Sequence, residues 1–300
     1  MNTARHDPHA EHHDHAEHRG HPEHTEHAES AAHAGHDVQP GHTEHAGHGG
    51  AAGHDPHAGH GGSATLGLAR AEGGYQLGAV RAPGSPGEPG TLAFEITGPD
   101  GEAVTDFAEQ HDKQLHLIVA RSDGAHFRHV HPVLDEQGTW SLPWAWDAPG
   151  TYRVFADFIP SATGAGLTLS TTVEATGEET PQAATPRAET TTGGYDVAVH
   201  GTLTPGRGSE LRFTVSRDGE PVTSLEPYLG AFGHLVALRD GDLAYLHAHP
   251  HGETPQPGDT SGPLITFEVT APTSGRYLLF LDFQVAGTVF TAPLVLDTVG

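Results

Sequence analysis

Apolar residues in this chain recur in short runs that alternate with polar ones. The segment Thr91-Leu92-Ala93-Phe94-Glu95-Ile96 has period two, the pattern of a strand with one buried face. Runs of similar character occupy residues 65–69, 75–80, 151–159 and 167–174, with an aromatic stretch at 140–146. Gly- and Pro-rich segments separate them, among them 83–90 and the turn Pro99-Asp100-Gly101-Glu102. No stretch shows helical periodicity. The pattern predicts an all-β fold in which about seven or eight short strands build an antiparallel β-sandwich, with Ig-like topology as the default.

The same pattern returns later in the chain. Gly193-Gly194-Tyr195 answers Gly73-Gly74-Tyr75, and Leu211-Arg212-Phe213 answers Leu92-Ala93-Phe94. Asp218-Gly219-Glu220 answers Asp100-Gly101-Glu102, and Phe280-Leu281-Asp282-Phe283 answers Phe155-Ala156-Asp157-Phe158. Ordered matches of this kind indicate a tandem duplication. The expected organisation is a first sandwich at 63–174, a linker at 175–192 rich in Thr, Glu, Ala and Pro, and a second sandwich at 193–300.

Composition sets residues 1–62 apart. They hold 17 of the 27 His and almost no large apolar residue, so they are expected to be a disordered tail without a core. Imidazoles recur there every third residue: His6, His9, His12, His15, His18, His21, His24 and His27, then His33 and His36, then His42, His45 and His48, then His54, His57 and His60. Neutral imidazole is a good ligand for Zn, Cu(II) and Ni. Two His three apart come within about 5–6 Å if the chain turns helically. In polyproline II they stand roughly 9 Å apart, so binding should fold the tail locally around the ion. The plain alternative is a solvated tail with incidental metal affinity.

The formal net charge is −25 with His neutral, which excludes the basic footprint of a nucleic-acid binder. Protonating all 27 His would bring the sum to about +2, so the electrostatics should change between neutral and mildly acidic pH. Cys is absent, which rules out disulfides, thiolate zinc sites and iron–sulfur clusters. No apolar run is long enough to span a membrane, and residues 1–30 show no signal-peptide core.

The candidate chemistry lies in a spacing that each repeat carries. His116 is followed thirteen and fifteen residues later by His129 and His131, and His234 in the same way by His247 and His249. Asp123-Gly124 between two strands reads as a two-residue hairpin loop, which sets His116 opposite His131 with His129 on the same face. Directly paired side chains on one face are about 4.5–5.5 Å apart at Cβ. A loop at Gly241-Asp242 sets His234 opposite His249, and one at Asp240-Gly241 sets it opposite His247. A three-residue loop would turn a side chain to the other face. His126 has the wrong parity for the cluster, and His111, His200 and His251 read as surface residues. Three imidazoles so placed suit Zn or Cu(II), with a fourth position for water or a carboxylate. Asp157 and Asp282, in the two Phe-x-Asp-Phe strands, are candidates either as ligands or as acceptors holding a ligand His. A structural hydrogen bond is the plain alternative for both.

The segments Gly230-Ala231-Phe232-Gly233-His234, His247-Ala248-His249-Pro250 and Phe280-Leu281-Asp282-Phe283 resemble bacterial envelope proteins of the heavy-metal-associated, YtkA-like or FixH-like, β-sandwich type. The resemblance implies a sandwich fold and metal handling outside the cytoplasm. The expected function is non-enzymatic metal binding for buffering, sequestration or delivery, with a transporter or client metalloprotein as partner. A metalloenzyme is the alternative. His247-x-His249 with Glu253 is similar to the first cupin motif, and His129-Val130-His131 to Cu/Zn superoxide dismutase, but the later ligands of both families are missing. A third reading is an adhesion or scaffold sandwich with incidental His.

Overall fold

The computed structural model describes residues 65–300 apart from 247, 253 and 257, and at His249 the backbone. The tail histidines from His6 to His60, and His247, lie outside the described residues. Every regular element described is a strand. Among the described residues no helix is long and apolar enough to cross a membrane.

Each repeat is a pair of antiparallel sheets. In the first, Tyr75–Leu77, Gly90–Thr97 and Thr139–Trp144 are neighbours in one sheet. In the other, Leu167–Ala175, Gly150–Pro160, Leu115–Arg121 and Arg128–Val130 lie side by side in that order. Leu92, Phe94, Ile96 and Trp140 of one sheet meet Leu117, Val119, Tyr152 and Val154 of the other in an apolar core. The second repeat follows the same plan. Tyr195–His200, Gly208–Arg217 and Leu264–Thr270 face a sheet ordered Tyr245–Leu246, His234–Arg239, Arg276–Val285, Thr288–Asp297. The chain is thus two tandem antiparallel β-sandwiches, as the alternation of apolar positions predicts.

A third apolar cluster lies between the repeats. Ile118, Ala120 and Phe155 of the first pack with Val236, Leu238, Tyr245, Leu278 and Phe280 of the second. The ring of Phe127 stacks on Phe280 with centroids 3.8 Å apart. Each contributing strand is therefore apolar on both faces, and all seven residues of Leu115–Arg121 are buried. A strand covered on both sides needs such a continuous run. Burying one such side chain contributes roughly 1.5–3 kcal/mol. The two sheets that carry the histidines consequently face each other.

Two local expectations are corrected. Residues 65–69 do not form a strand: 65–67 form a turn, with Leu66 at φ 52° and Gly67 at φ 69°. Two successive left-handed residues cannot sit in a pleat. This turn touches the second repeat, where the Tyr245 N–H donates to the Leu66 carbonyl at 2.8 Å. A Cβ on Gly67 would lie 3.0 Å from both Thr168 and Tyr245 side chains, so glycine fits this close approach. The expected linker also contains a strand, Glu189–Thr192. Ahead of that strand, Thr180 and Gln182 bond to Arg121 and Asp123 of the first repeat, and Ala184 accepts from Arg276 of the second.

Candidate metal centre

The hairpin that carries the first histidine set reaches the expected register by an unexpected route. Leu117 pairs with Val130, Ile118 with His129 and Val119 with Arg128, so continuing the ladder sets His116 opposite His131. The turn itself is not the two-residue type. The Gly124 N–H bonds the Arg121 carbonyl at 2.7 Å and the Arg121 N–H bonds the Ala125 carbonyl at 2.9 Å, which leaves Ser122-Asp123-Gly124 as a three-residue loop. That loop alone would shift the partners by one. His126, at φ 53°, adds one residue on the returning side and restores the parity, as a bulge does. The His126 ring turns to Tyr152, 6.5 Å away, as its own parity requires.

His116, His129 and His131 converge, and one ligand atom from each lies within 4.8 Å of the others. The partners of the ring nitrogens fix two of the tautomers. His116 Nε2 is 2.9 Å from the Gln110 carbonyl oxygen, so this nitrogen donates and Nδ1 keeps its lone pair. His129 Nδ1 donates to Asp282 Oδ2 at 2.8 Å, so in the neutral ring Nε2 keeps its lone pair. Those two lone-pair atoms face each other at 3.0 Å. His131 Nε2 stands 3.2 Å from the same His116 Nδ1 and can donate to it. With the His129 ring neutral, no proton then lies between His116 and His129. A cation among the three nitrogens removes this repulsion. With Zn–N bonds of 2.0–2.1 Å, a tetrahedral site sets its nitrogens about 3.3 Å apart, close to what is found here.

Burial keeps the rings of His116, His131 and His234 neutral, the form that ligates metals. Burial, and then the neighbouring His129, lowers the pKa of His116 to about 4. Burial followed by His129 and His116 lowers that of His131 to about 3. His234 is pushed well below the ordinary value, by burial first and then by His111, His129 and His116.

The two aspartates act as hydrogen-bond acceptors, and each reaches into the other repeat. Asp282 takes His129 Nδ1–H on one oxygen and Thr291 Oγ1–H, at 2.5 Å, on the other. Asp157 accepts from Thr168 at 3.2 Å and from the Tyr245 hydroxyl at 3.3 Å. Burial, reinforced by Asp157, raises the Tyr245 pKa well above 10, so the phenol stays a donor.

The second histidine set is not a copy of the first. Ala237 pairs with Leu246 and Leu238 with Tyr245, the register that points His234 towards 249. After Leu246, however, the chain crosses to the other sheet, where Ala248, His249 and Pro250 pair with Val269, Glu268 and Phe267. In the first repeat the crossover comes later, at Val133–Leu134. His234 itself belongs to the neighbourhood of the first set, with its ring 6.4 Å from His116 and 6.5 Å from His129. Its Nε2–H is shared between the carbonyls of Tyr228 and Leu229 at 3.0 Å each. His111, expected on the surface, stands 5.0 Å from His234 and 6.0 Å from His116. His200 is exposed, and so is His251, which is 3.8 Å from Glu268. Gln110, His111, Thr291 and Tyr245 carried no signal in their local sequence. Gln110 and His111 lie in the turn just ahead of the His116 strand, while Thr291 and Tyr245 come from the second repeat and reach the first only where the two sheets dock.

Fold and site together define a tandem pair of β-sandwiches with a three-imidazole cluster at the seam between them. The chain belongs to the family described as a domain of unknown function, DUF8832, which matches it twice, over residues 69–177 and 189–300. No curated protein matches it. Among solved structures it is similar to the Yersinia pseudotuberculosis adhesin InvE, with 11% identity, 75% of this chain and 59% of that one covered, and a TM-score of 0.22. It is also similar to the D0-D1 domain of intimin, with 11% identity, coverage of 72% and 93%, and a TM-score of 0.20. A marsupial T cell receptor shows 12% identity, coverage of 75% and 100%, and a TM-score of 0.22. Likenesses this distant say nothing of function.

Proposed function

We propose that this protein is a non-enzymatic binder of a divalent transition-metal ion, Zn or Cu(II), held by His116 Nδ1, His129 Nε2 and His131 Nε2. One observation carries the reading: two ring nitrogens, each with the opposite nitrogen of its ring held by a hydrogen bond, face each other at 3.0 Å beside a third imidazole nitrogen. The fourth position is left to water or an exogenous ligand. The tail adds imidazoles at three-residue spacing and with them capacity for Zn, Cu(II) or Ni. The role that follows is metal buffering, sequestration or delivery, with a transporter or client metalloprotein as recipient. The resemblance to heavy-metal-associated sandwich proteins points the same way.

Thermal unfolding of the full chain, with and without Zn, tests the reading. An ion held by the folded sandwiches stabilises them by about 2.7 kcal/mol at a hundredfold excess over Kd. An ion on tail imidazoles, bound equally before and after unfolding, adds nothing. Zn should therefore raise the Tm of the native chain and not that of a His129→Ala/His131→Ala double variant. An equal rise in both, or no rise in either, would refute it.

A further inference from the structure

The metal site, on the reading above, has been described as belonging to the first repeat, since all three ligand imidazoles come from there. We propose instead that it is a joint property of both repeats: Asp282 of the second is the positioning residue for His129 of the first, so ion binding is linked to docking of the two histidine-bearing sheets.

The bond between His129 Nδ1 and Asp282 Oδ2 is deeply buried, with the two side chains 4% and 3% exposed. Asp282 is itself held rigidly. It lies mid-strand, paired with His234 on one side and Thr291 on the other, and the Thr291 hydroxyl occupies its second oxygen. A carboxylate that takes one ring N–H fixes the tautomer, aims the opposite nitrogen and raises its basicity. Here the aimed nitrogen is Nε2, 3.0 Å from His116 Nδ1.

The equivalent aspartate of the first repeat is engaged differently. Asp157 also pairs with a histidine, His116, and with a threonine, Thr168. Its free oxygen, however, accepts from the Tyr245 hydroxyl. Tyr245 stands two residues before His247, as Phe127 stands two before His129. Phe127 has no hydroxyl and stacks on Phe280, which leaves the Asp282 oxygen to His129. A phenolic oxygen thus donates to Asp157 where an imidazole N–H donates to Asp282. The His129–Asp282 bond exists only while the sheets are docked. By linkage, an ion that needs this bond strengthens docking by the factor by which docking strengthens the ion's binding.

The test uses the full chain with Asp282→Asn and, as control, Trp146→Phe, which removes a buried hydrogen bond inside the first repeat and away from the seam. Zn affinity of the sandwiches is read from the Zn dependence of Tm. The visible Co(II) spectrum, taken as a difference against the His129→Ala/His131→Ala variant, reports the site geometry and cancels the tail. Asp282→Asn should weaken Zn binding about 10–100-fold and alter the Co(II) bands, while Trp146→Phe leaves both near wild type. Zn should also slow amide exchange at Val236 and Phe280 of the second repeat in the native chain but not in Asp282→Asn. Unchanged affinity in Asp282→Asn, or equal losses in both variants, would overturn the proposal. If Asp282→Asn does not fold, Thr291→Val, which frees the other oxygen, should lower affinity several-fold, and no change there would be equally fatal. A wild-type chain whose Tm ignores Zn takes down the metal-binding reading itself, whereas normal wild-type binding that Asp282→Asn leaves intact takes down this inference alone.

Discussion

At the scale of single residues, the two buried aspartates of the seam have both carboxylate oxygens engaged. Asp157 is 4% exposed and keeps both oxygens satisfied, one by Thr168 and one by Tyr245. Tyr245→Phe deletes the second donor and leaves a buried carboxylate oxygen without a partner. Loss of a hydrogen bond to a charged group costs about 1.5–3 kcal/mol. Urea unfolding of the metal-free variant should show a loss of that size, with the Zn-induced rise in Tm retained, because His116 and His129 keep their own hydrogen-bond partners. A variant that lost the Zn response along with the stability would show that the two aspartates are not independent. Trp146 offers a similar test away from the site. Its indole N–H donates to the Pro83 carbonyl at 2.7 Å. Trp146→Phe should lower stability by the lost contacts and the orphaned carbonyl, roughly 1–3 kcal/mol, and leave Zn binding untouched.

At the scale of elements, the turn between Leu115–Arg121 and Arg128–Val130 governs the site. Gly124 sits at φ 79°, and a Cβ there would come 2.1 Å from Leu278 Cδ1 of the second repeat. Gly124→Ala therefore meets both backbone strain and a collision across the seam, and should destabilise by about 1–3 kcal/mol in urea. The Asp-Gly pair was visible in the sequence, but it fits two loop types with opposite consequences for parity. The expected pairing of His116 with His131 is realised because the three-residue loop and the bulge at His126 offset each other. No residue type at 126 announces a bulge. The second hairpin was less legible. The histidine spacings of the two repeats are identical, yet Ala248–Pro250 joins Leu264–Thr270 in the opposite sheet. Spacing fixes which residues could share a face. It cannot say where a strand leaves its sheet. The seam did leave a trace, in the unbroken apolar runs 117–120 and 235–238, which a sandwich with one solvated sheet face would not need.

At the scale of the whole molecule, the buried imidazoles tie stability and metal retention to pH. Unfolded histidine titrates near 6.5. His116 in the folded, metal-free protein titrates at about 4 and His131 at about 3. Above pH 6.5 both states hold these rings neutral. Below it the unfolded chain takes up protons that the folded one refuses, so stability falls as pH drops from 6.5 towards 4. For the deeply buried His116 the full difference is about 3 kcal/mol. Metal retention should separate in the same window. Imidazoles that titrate at the ordinary value of about 6.5 release their ions as pH falls through it. His116 and His131 at the seam meet no such proton competition until near their own, lower values. Equilibrium dialysis of Zn-loaded chains against falling pH should accordingly show two phases. At about pH 5.5 the native chain should retain roughly one ion more than the His129→Ala/His131→Ala variant, with circular dichroism confirming that both remain folded. Curves that coincide over the whole range would mean that the seam holds no ion of its own.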